Sequence, residues 1–183
     1  MLRALHNAVG KKSYAAIVLT RNGASTIEDT LESLLAQTRQ PTHTCVVNDG
    51  SYDRTAEILD EFRQQTPSKF TVVNLPDRGY DIRRVPANLN AAYAHIEAEQ
   101  ERFDYSLISA DDCVFPSGYC ETLLSEMERN CRLVIASGRW GAHASPDAVG
   151  FPDGSGRLVR EDFWSRLGRR YPVTYGWETW LVF

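Results

Sequence analysis

The residues able to do chemistry fall into three short polar clusters. Asn48-Asp49-Gly50-Ser51-Tyr52-Asp53-Arg54-Thr55 follows an apolar run. Asp49 there can accept an N–H from a pyrimidine or guanine ring, and Gly50 lets the backbone approach a ligand. The same residues also suit an ordinary turn, with Ser51 or Asp53 capping the next helix. Asp111-Asp112 follows a second apolar run. Two carboxylates at close range make a hard oxygen site that Mg²⁺ or Mn²⁺ could share with a diphosphate, although an acidic turn with Asp112 in solvent fits equally. Thr20-Arg21-Asn22 is the third cluster. His43, His95 and His143 show no partner pattern for a metal or a triad and are read as structural or exposed.

Alternating strands and helices must position these clusters. Ala15-Ala16-Ile17-Val18-Leu19, Thr44-Cys45-Val46-Val47, Phe70-Thr71-Val72-Val73 and Tyr105-Ser106-Leu107-Ile108 predict strands covered on both faces. Between them, Ile27, Leu31, Leu34 and Leu35 share a helical face behind a capping box of Ser25 and Glu28. Thr55, Ile58, Leu59 and Phe62 make a second such face, and Leu89, Tyr93 and Ile96, behind Pro86, a third. Further on, a helix with Cys120, Leu123, Leu124 and Met127 leads to a strand at Leu133-Val134-Ile135-Ala136. Residues 138–156 predict a long irregular loop, and Glu161 to Leu167 a short helix. The pattern implies a mainly parallel sheet flanked by helices, whose ligands bind beyond the carboxyl ends of the strands. All three polar clusters lie at that edge.

The composition fits one soluble domain: 183 residues, 43% hydrophobic and 24% charged, are enough to close a core. A net charge of −4 argues against broad binding to nucleic acid. Four cysteines without a C-x-x-C pair read as reduced thiols, which fits a cytoplasmic chain. No apolar run approaches the roughly 20 residues of a transmembrane segment, so membrane association would come through the acceptor or a further segment. Residues 1–12 read as a tail, 13–115 as the ligand-binding half of one domain, and 116–183 as its second half. The apolar ending Leu181-Val182-Phe183 suggests a chain that continues further.

Several of these motifs, in order, resemble the inverting nucleotide-sugar glycosyltransferases of family 2, with the Rossmann-like GT-A fold. Ala16-Ile17-Val18-Leu19-Thr20-Arg21-Asn22 resembles the family's opening strand and Thr-x-Asn turn. Residues 31–38 resemble its first helix, and residues 47–55 its Asp-Asp-Gly-Ser-x-Asp-x-Thr segment. Ala87-Asn88-Leu89-Asn90-Ala91-Ala92 is similar to its Ala-x-Leu/Arg-Asn-x-Gly segment, and Ser109-Ala110-Asp111 falls at its Asp-x-Asp motif. Tyr175-Gly176-Trp177-Glu178-Thr179-Trp180 looks like its Gly-x-Glu-Asp region, which supplies the catalytic base. Asn48, Ser109, Ala92 and Thr179 depart from the pattern.

The resemblance implies transfer, with inversion, from a nucleotide sugar, by family habit a UDP-sugar, to a saccharide or lipid-linked acceptor. It implies that Thr20, Asn22, Asp49, Arg84 and Asn90 bind the donor, that Asp111, with Asp112 beside it, holds Mg²⁺ or Mn²⁺, and that Glu178 is the base. A non-catalytic nucleotide-sugar scaffold and a sugar-nucleotide pyrophosphorylase stay open beside it, the latter disfavoured because Thr20-Arg21-Asn22-Gly23 is poor in glycine. Among the acidic residues of the second half, Asp153 sits in a Pro-Asp-Gly-Ser turn, and Glu161 and Asp162 begin a helix. Glu178 stands between Trp177 and Trp180, where partial burial would raise its pKa toward neutrality. Glu178→Gln is expected to lower transfer roughly 10²-fold and remove the acidic limb of the pH–rate profile while nucleotide affinity holds. Transfer within a few-fold of wild type would shift the assignment to Asp153.

Overall fold

Runs that are apolar at every position must be buried on both faces, and the computed structural model places them in the middle of a sheet with helices on either side. It describes residues 12–66, 69–138, 154–168 and 170–171. The elements run β1 (Tyr14–Thr20), α1 (Ile27–Leu35), β2 (His43–Asp49), α2 (Thr55–Gln65), β3 (Lys69–Leu75), a 3₁₀ turn (Ile82–Arg84), α3 (Val85–Ala98), β4 (Tyr105–Ala110), α4 (Tyr119–Arg129), β5 (Ile135–Ser137), β6 (Arg157–Arg160) and α5 (Glu161–Arg166).

Among the described residues the sheet order is β3-β2-β1-β4-β6-β5. The first four strands are parallel, with Thr20 opposite Asn48 and Leu19 opposite Ala110. Alternate side chains feed two cores. Ala16, Val18, Val46 and Leu107 pack with α1, α2 and α4, whereas Ile17, Cys45, Val47 and Ile108 pack with α3 and α5. This is the mainly parallel α/β architecture expected from the sequence.

One strand appears where none was expected, and two local expectations are corrected. Arg157-Leu158-Val159-Arg160 is a strand, antiparallel to β4, although it borders the expected loop. Two arginines hide its character, yet the outer edge of β4 carries backbone groups that must be paired. The strand expected at Leu133–Ala136 runs instead over Ile135–Ser137, in register with β6. The capping box does not form. Thr26 is the N-cap of α1 without a side-chain cap, and the N–H groups of Thr26 and Ile27 donate to Gly23 O at 3.0 and 2.9 Å. No helix among the described residues is long and apolar enough to cross a membrane.

The turn after β2 depends on a glycine. Gly50 has φ +64°, and a Cβ there would lie 2.3 Å from Asp77 Cα and 2.5 Å from Asp77 N. Both obstacles are backbone, so no rotamer relieves them. Gly50→Ala is expected to cost roughly 2–4 kcal/mol through left-handed strain and overpacking. Urea unfolding checks this, and a loss below about 0.5 kcal/mol would show that the two turns can part freely.

Candidate functional site

The carboxyl ends of β1, β2 and β4 and the start of β6 surround a cavity of about 360 Å³, whose lining includes Thr20, Arg21, Asp49, Ser109, Asp111 and Arg157. A larger cavity, about 910 Å³, opens at the opposite edge of the sheet around Lys12, Asp104 and Glu161. Size does not decide between them. In a parallel sheet ligands bind beyond the carboxyl ends of the strands, and here Asp49 and Asp111 both lie at that edge.

Asp111 is held by a close-packed corner. Thr20 Oγ1 donates to its Oδ2 at 2.5 Å. Its backbone carbonyl accepts from Thr30 Oγ1 at 2.8 Å, and the same hydroxyl accepts from Cys113 N at 3.1 Å. Gly23 closes the corner, since a Cβ there would fall 2.1 Å from Asp111 Oδ2 and 2.5 Å from Thr20 Oγ1. Burial pushes the Asp111 carboxyl above its ordinary range, opposed by the hydrogen bond from Thr20, with the Asp112 charge adding to the rise.

Asp112 is exposed and does not line the cavity. The expected pair therefore presents one carboxylate to the site. Ser109 lines the cavity as a neutral hydroxyl and donates to Ala110 O at 2.8 Å. No group of three His, Cys, Asp or Glu side chains among the described residues could hold a metal. Such a donor set fits Mg²⁺ or Mn²⁺ bound through one carboxylate with the remaining oxygens from a diphosphate and water.

Asp49, the last residue of β2, is 6% exposed. Its Oδ2 accepts from Arg84 Nη2 at 3.2 Å and Nε at 3.4 Å. Its Oδ1 is buried without a hydrogen bond, and Arg78 Nη2 lies 3.8 Å away. Arg21 backs the turn, donating to Asp49 O and Gly50 O and pairing with Asp77 at 2.6 Å. The buried Asp49 and the partly buried Asp111 thus differ in partners: Asp49 is flanked by arginines, and Asp111 by hydroxyl and backbone donors.

Asn22 and Asn90 are positioned differently from the donor contacts expected of them. Asn22 lies outside the cavity lining, takes φ +53°, accepts from Tyr52 N at 3.0 Å and donates its own N–H to Ser51 Oγ at 2.9 Å, which ties the first turn to the second. Asn90 clasps the backbone of Tyr171, donating to its O at 2.9 Å and accepting from its N at 2.7 Å. Within the same segment Asn88, 5% exposed, lines the cavity instead. Asn48 donates to Asn74 Oδ1 at 2.9 Å and accepts from Ser51 N at 3.1 Å, so it braces the turn. Asp53 accepts from Thr55 N and Ala24 N at 3.0 and 3.1 Å, as a capping and loop-joining group. Glu178, Thr179 and Asp153 lie outside the described residues.

Arg157, Gly23, Arg78 and Asn88 had no signal of their own in the sequence. Arg157 is 1% exposed, and its Nη1 donates to Gly154 O.

The family model for Glycosyl transferase family 2 matches residues 15–167. The chain belongs to glycosyl transferase family 2. It is similar to the poly-beta-1,6-N-acetyl-D-glucosamine synthase of Staphylococcus epidermidis, at 29% identity over 118 residues, 64% of this chain and 26% of that protein. Among solved structures it is similar to S. aureus TarS 1-349 in complex with UDP, with TM-score 0.70 and 16% identity over 93% of this chain and 53% of that one. It is also similar to the mannosyltransferase PcManGT from Pyrobaculum calidifontis in complex with GDP-Man and Mn²⁺, with TM-score 0.71 and 19% identity over 91% and 49%. These likenesses establish the GT-A fold. The chain spans about a quarter of the curated relative and about half of the solved ones.

In this family 2 chain Asp111 is a stability liability at neutral pH. Its folded-state carboxyl titrates above the unfolded value near 3.9. The stability it contributes is therefore complete below that value and lost as pH rises through the folded one. Asp111→Asn is expected to melt higher than wild type at about pH 7, with the gap closing below about pH 4. Thermal melts across that range check it, and a variant less stable than wild type at neutral pH would contradict it.

Proposed function

We propose that this chain binds a uridine diphosphate sugar and belongs to a glycosyltransferase that passes the sugar, with inversion, to a hydroxyl of a saccharide or lipid-linked acceptor. The observation that carries this reading is the lining of one cavity by Asp49, Asp111 and Arg157 along consecutive strands β2, β1, β4 and β6. Three strand spacings cover roughly 14 Å, a span suited to a base at β2, a diphosphate between β1 and β4, and a sugar toward β6. Of the two solved neighbours, one is a complex with UDP and the other with GDP-Man and Mn²⁺.

The surroundings of Asp49 favour uracil over guanine. Uracil offers one ring N–H between two carbonyls. Asp49 supplies the acceptor for that N–H, and Arg84 and Arg78 beside it supply donors for the carbonyls. Arg78 is half exposed, so it can yield Oδ1 to the base. Guanine would bring a second N–H against an arginine donor, which leaves two donors facing each other.

Chemistry at the other end follows from Asp111. A divalent cation bound there with the diphosphate would neutralise charge on the leaving group. Thr20 and Gly23 hold the carboxylate in one place for that contact. Glu178, assigned from motif order, takes the acceptor's hydroxyl proton as the oxygen bonds the anomeric carbon and the nucleoside diphosphate departs with the electrons of the broken C–O bond.

Calorimetry with UDP and GDP, in Mn²⁺ and in chelator, tests the reading. UDP is expected to bind more tightly with Mn²⁺ and more tightly than GDP. Asp111→Ala should erase the metal dependence, and Asp49→Asn should weaken UDP roughly 10- to 100-fold in either condition, the scale of a hydrogen bond to a charged group. Equal UDP affinity with metal and chelator would exclude the metal role, and tighter GDP binding would exclude the uracil assignment.

A further inference from the structure

We propose that Tyr80 is the stacking platform for the nucleobase, closing over the base that Asp49 reads. The proposal rests on the donor reading above and adds to it the residue that holds the flat face of the base.

Among the described residues few large hydrophobic side chains stand in water, and Tyr80, at 79% exposed, and Ile82, at 57%, both line the mouth of this one cavity. An aromatic ring left in solvent at the mouth of a cavity has apolar surface that a ligand stacked on it would bury. One guanidinium ties the backbone next to Tyr80 to the carboxylate of Asp49. Arg84 Nη2 donates both to Asp49 Oδ2, at 3.2 Å, and to the carbonyl of Gly79, the residue before Tyr80. The segment is fixed again from the other side, where Asp77 pairs with Arg21 and accepts from Gly79 N at 2.9 Å. The backbone of Tyr80 is therefore tethered to the carboxylate at the nucleoside end, while its ring is not packed.

The division of labour follows from chemistry. The edge of the base carries its identity and meets Asp49 and the arginines. The face of the base is alike in all nucleotides, and an aromatic ring stacks on it with little regard to sequence, worth about five- to hundredfold in affinity when truncated to alanine. A side chain that acts on the face should weaken every nucleotide by a similar factor. One that acts on the edge changes the ratio between nucleotides.

The test measures UDP and GDP affinity of the full chain, in Mn²⁺, for wild type, Tyr80→Ala, Tyr80→Phe and Tyr80→Trp. Tyr80→Ala is expected to bind UDP five- to hundredfold more weakly, to weaken GDP by a similar factor, and to melt with wild type because the ring is exposed. Tyr80→Phe and Tyr80→Trp should keep wild-type affinity, and UDP should quench the new indole. Tyr80→Ala binding UDP as wild type does would overturn the proposal, as would Tyr80→Phe failing as badly as alanine, since the hydroxyl and not the ring would then make the contact. Wild-type protein that binds neither nucleotide would remove the donor reading and this proposal with it, whereas unchanged UDP binding by Tyr80→Ala removes the proposal alone.

Discussion

β1 lies between β2 and β4 with both edges paired in parallel, and that constraint organises the rest. A parallel pair cannot be joined by a tight turn, so the connections among β1 to β4 cross through helices, and these four strands end at the same edge. Thr20, Asp49 and Asp111 are thereby brought to one cavity although about 90 residues of chain separate the first from the last. Opening the β1–β4 pairing would lose the cavity and the core on both faces together.

The charges at this edge are costly to keep, and they are kept in different ways. Asp49 is screened by arginines drawn from the segment between β3 and α3. Asp111 has hydroxyl and backbone donors but no described cationic partner, which is why burial raises its pKa. A carboxylate in that state would gain from a nearby positive charge. Stability given up at a binding site is common where function needs a charge out of water.

Two departures from the family pattern have different consequences. Asn48, where the family carries a second aspartate, joins Asn74 and Ser51 and serves as a neutral brace that adds no further negative charge beside Asp49. Ser109 lies in the cavity lining, so its neutrality leaves Asp49 and Asp111 as the aspartates that line it beside the β strands' carboxyl ends.

The strand-helix alternation, the parallel sheet and the edge holding the three clusters were legible in the sequence because burial on both faces of a strand demands unbroken apolar runs. Asp49 and Asp111 were legible as well, each following such a run directly. Periodicity does not report which side chain faces a ligand. Asn88 and Asn90 sit two positions apart in one helix, and only the packing of α3 on the sheet turns Asn88 to the cavity and Asn90 to Tyr171. The same holds for β6, whose identity as a strand comes from the unpaired edge of β4 and not from its own residues. Gly23 and Arg84 act through space, one by leaving room for Asp111 and the other by tying Asp49 to the segment that carries Tyr80. Contacts between residues distant in the chain have no local signature, so the tertiary structure alone decided them.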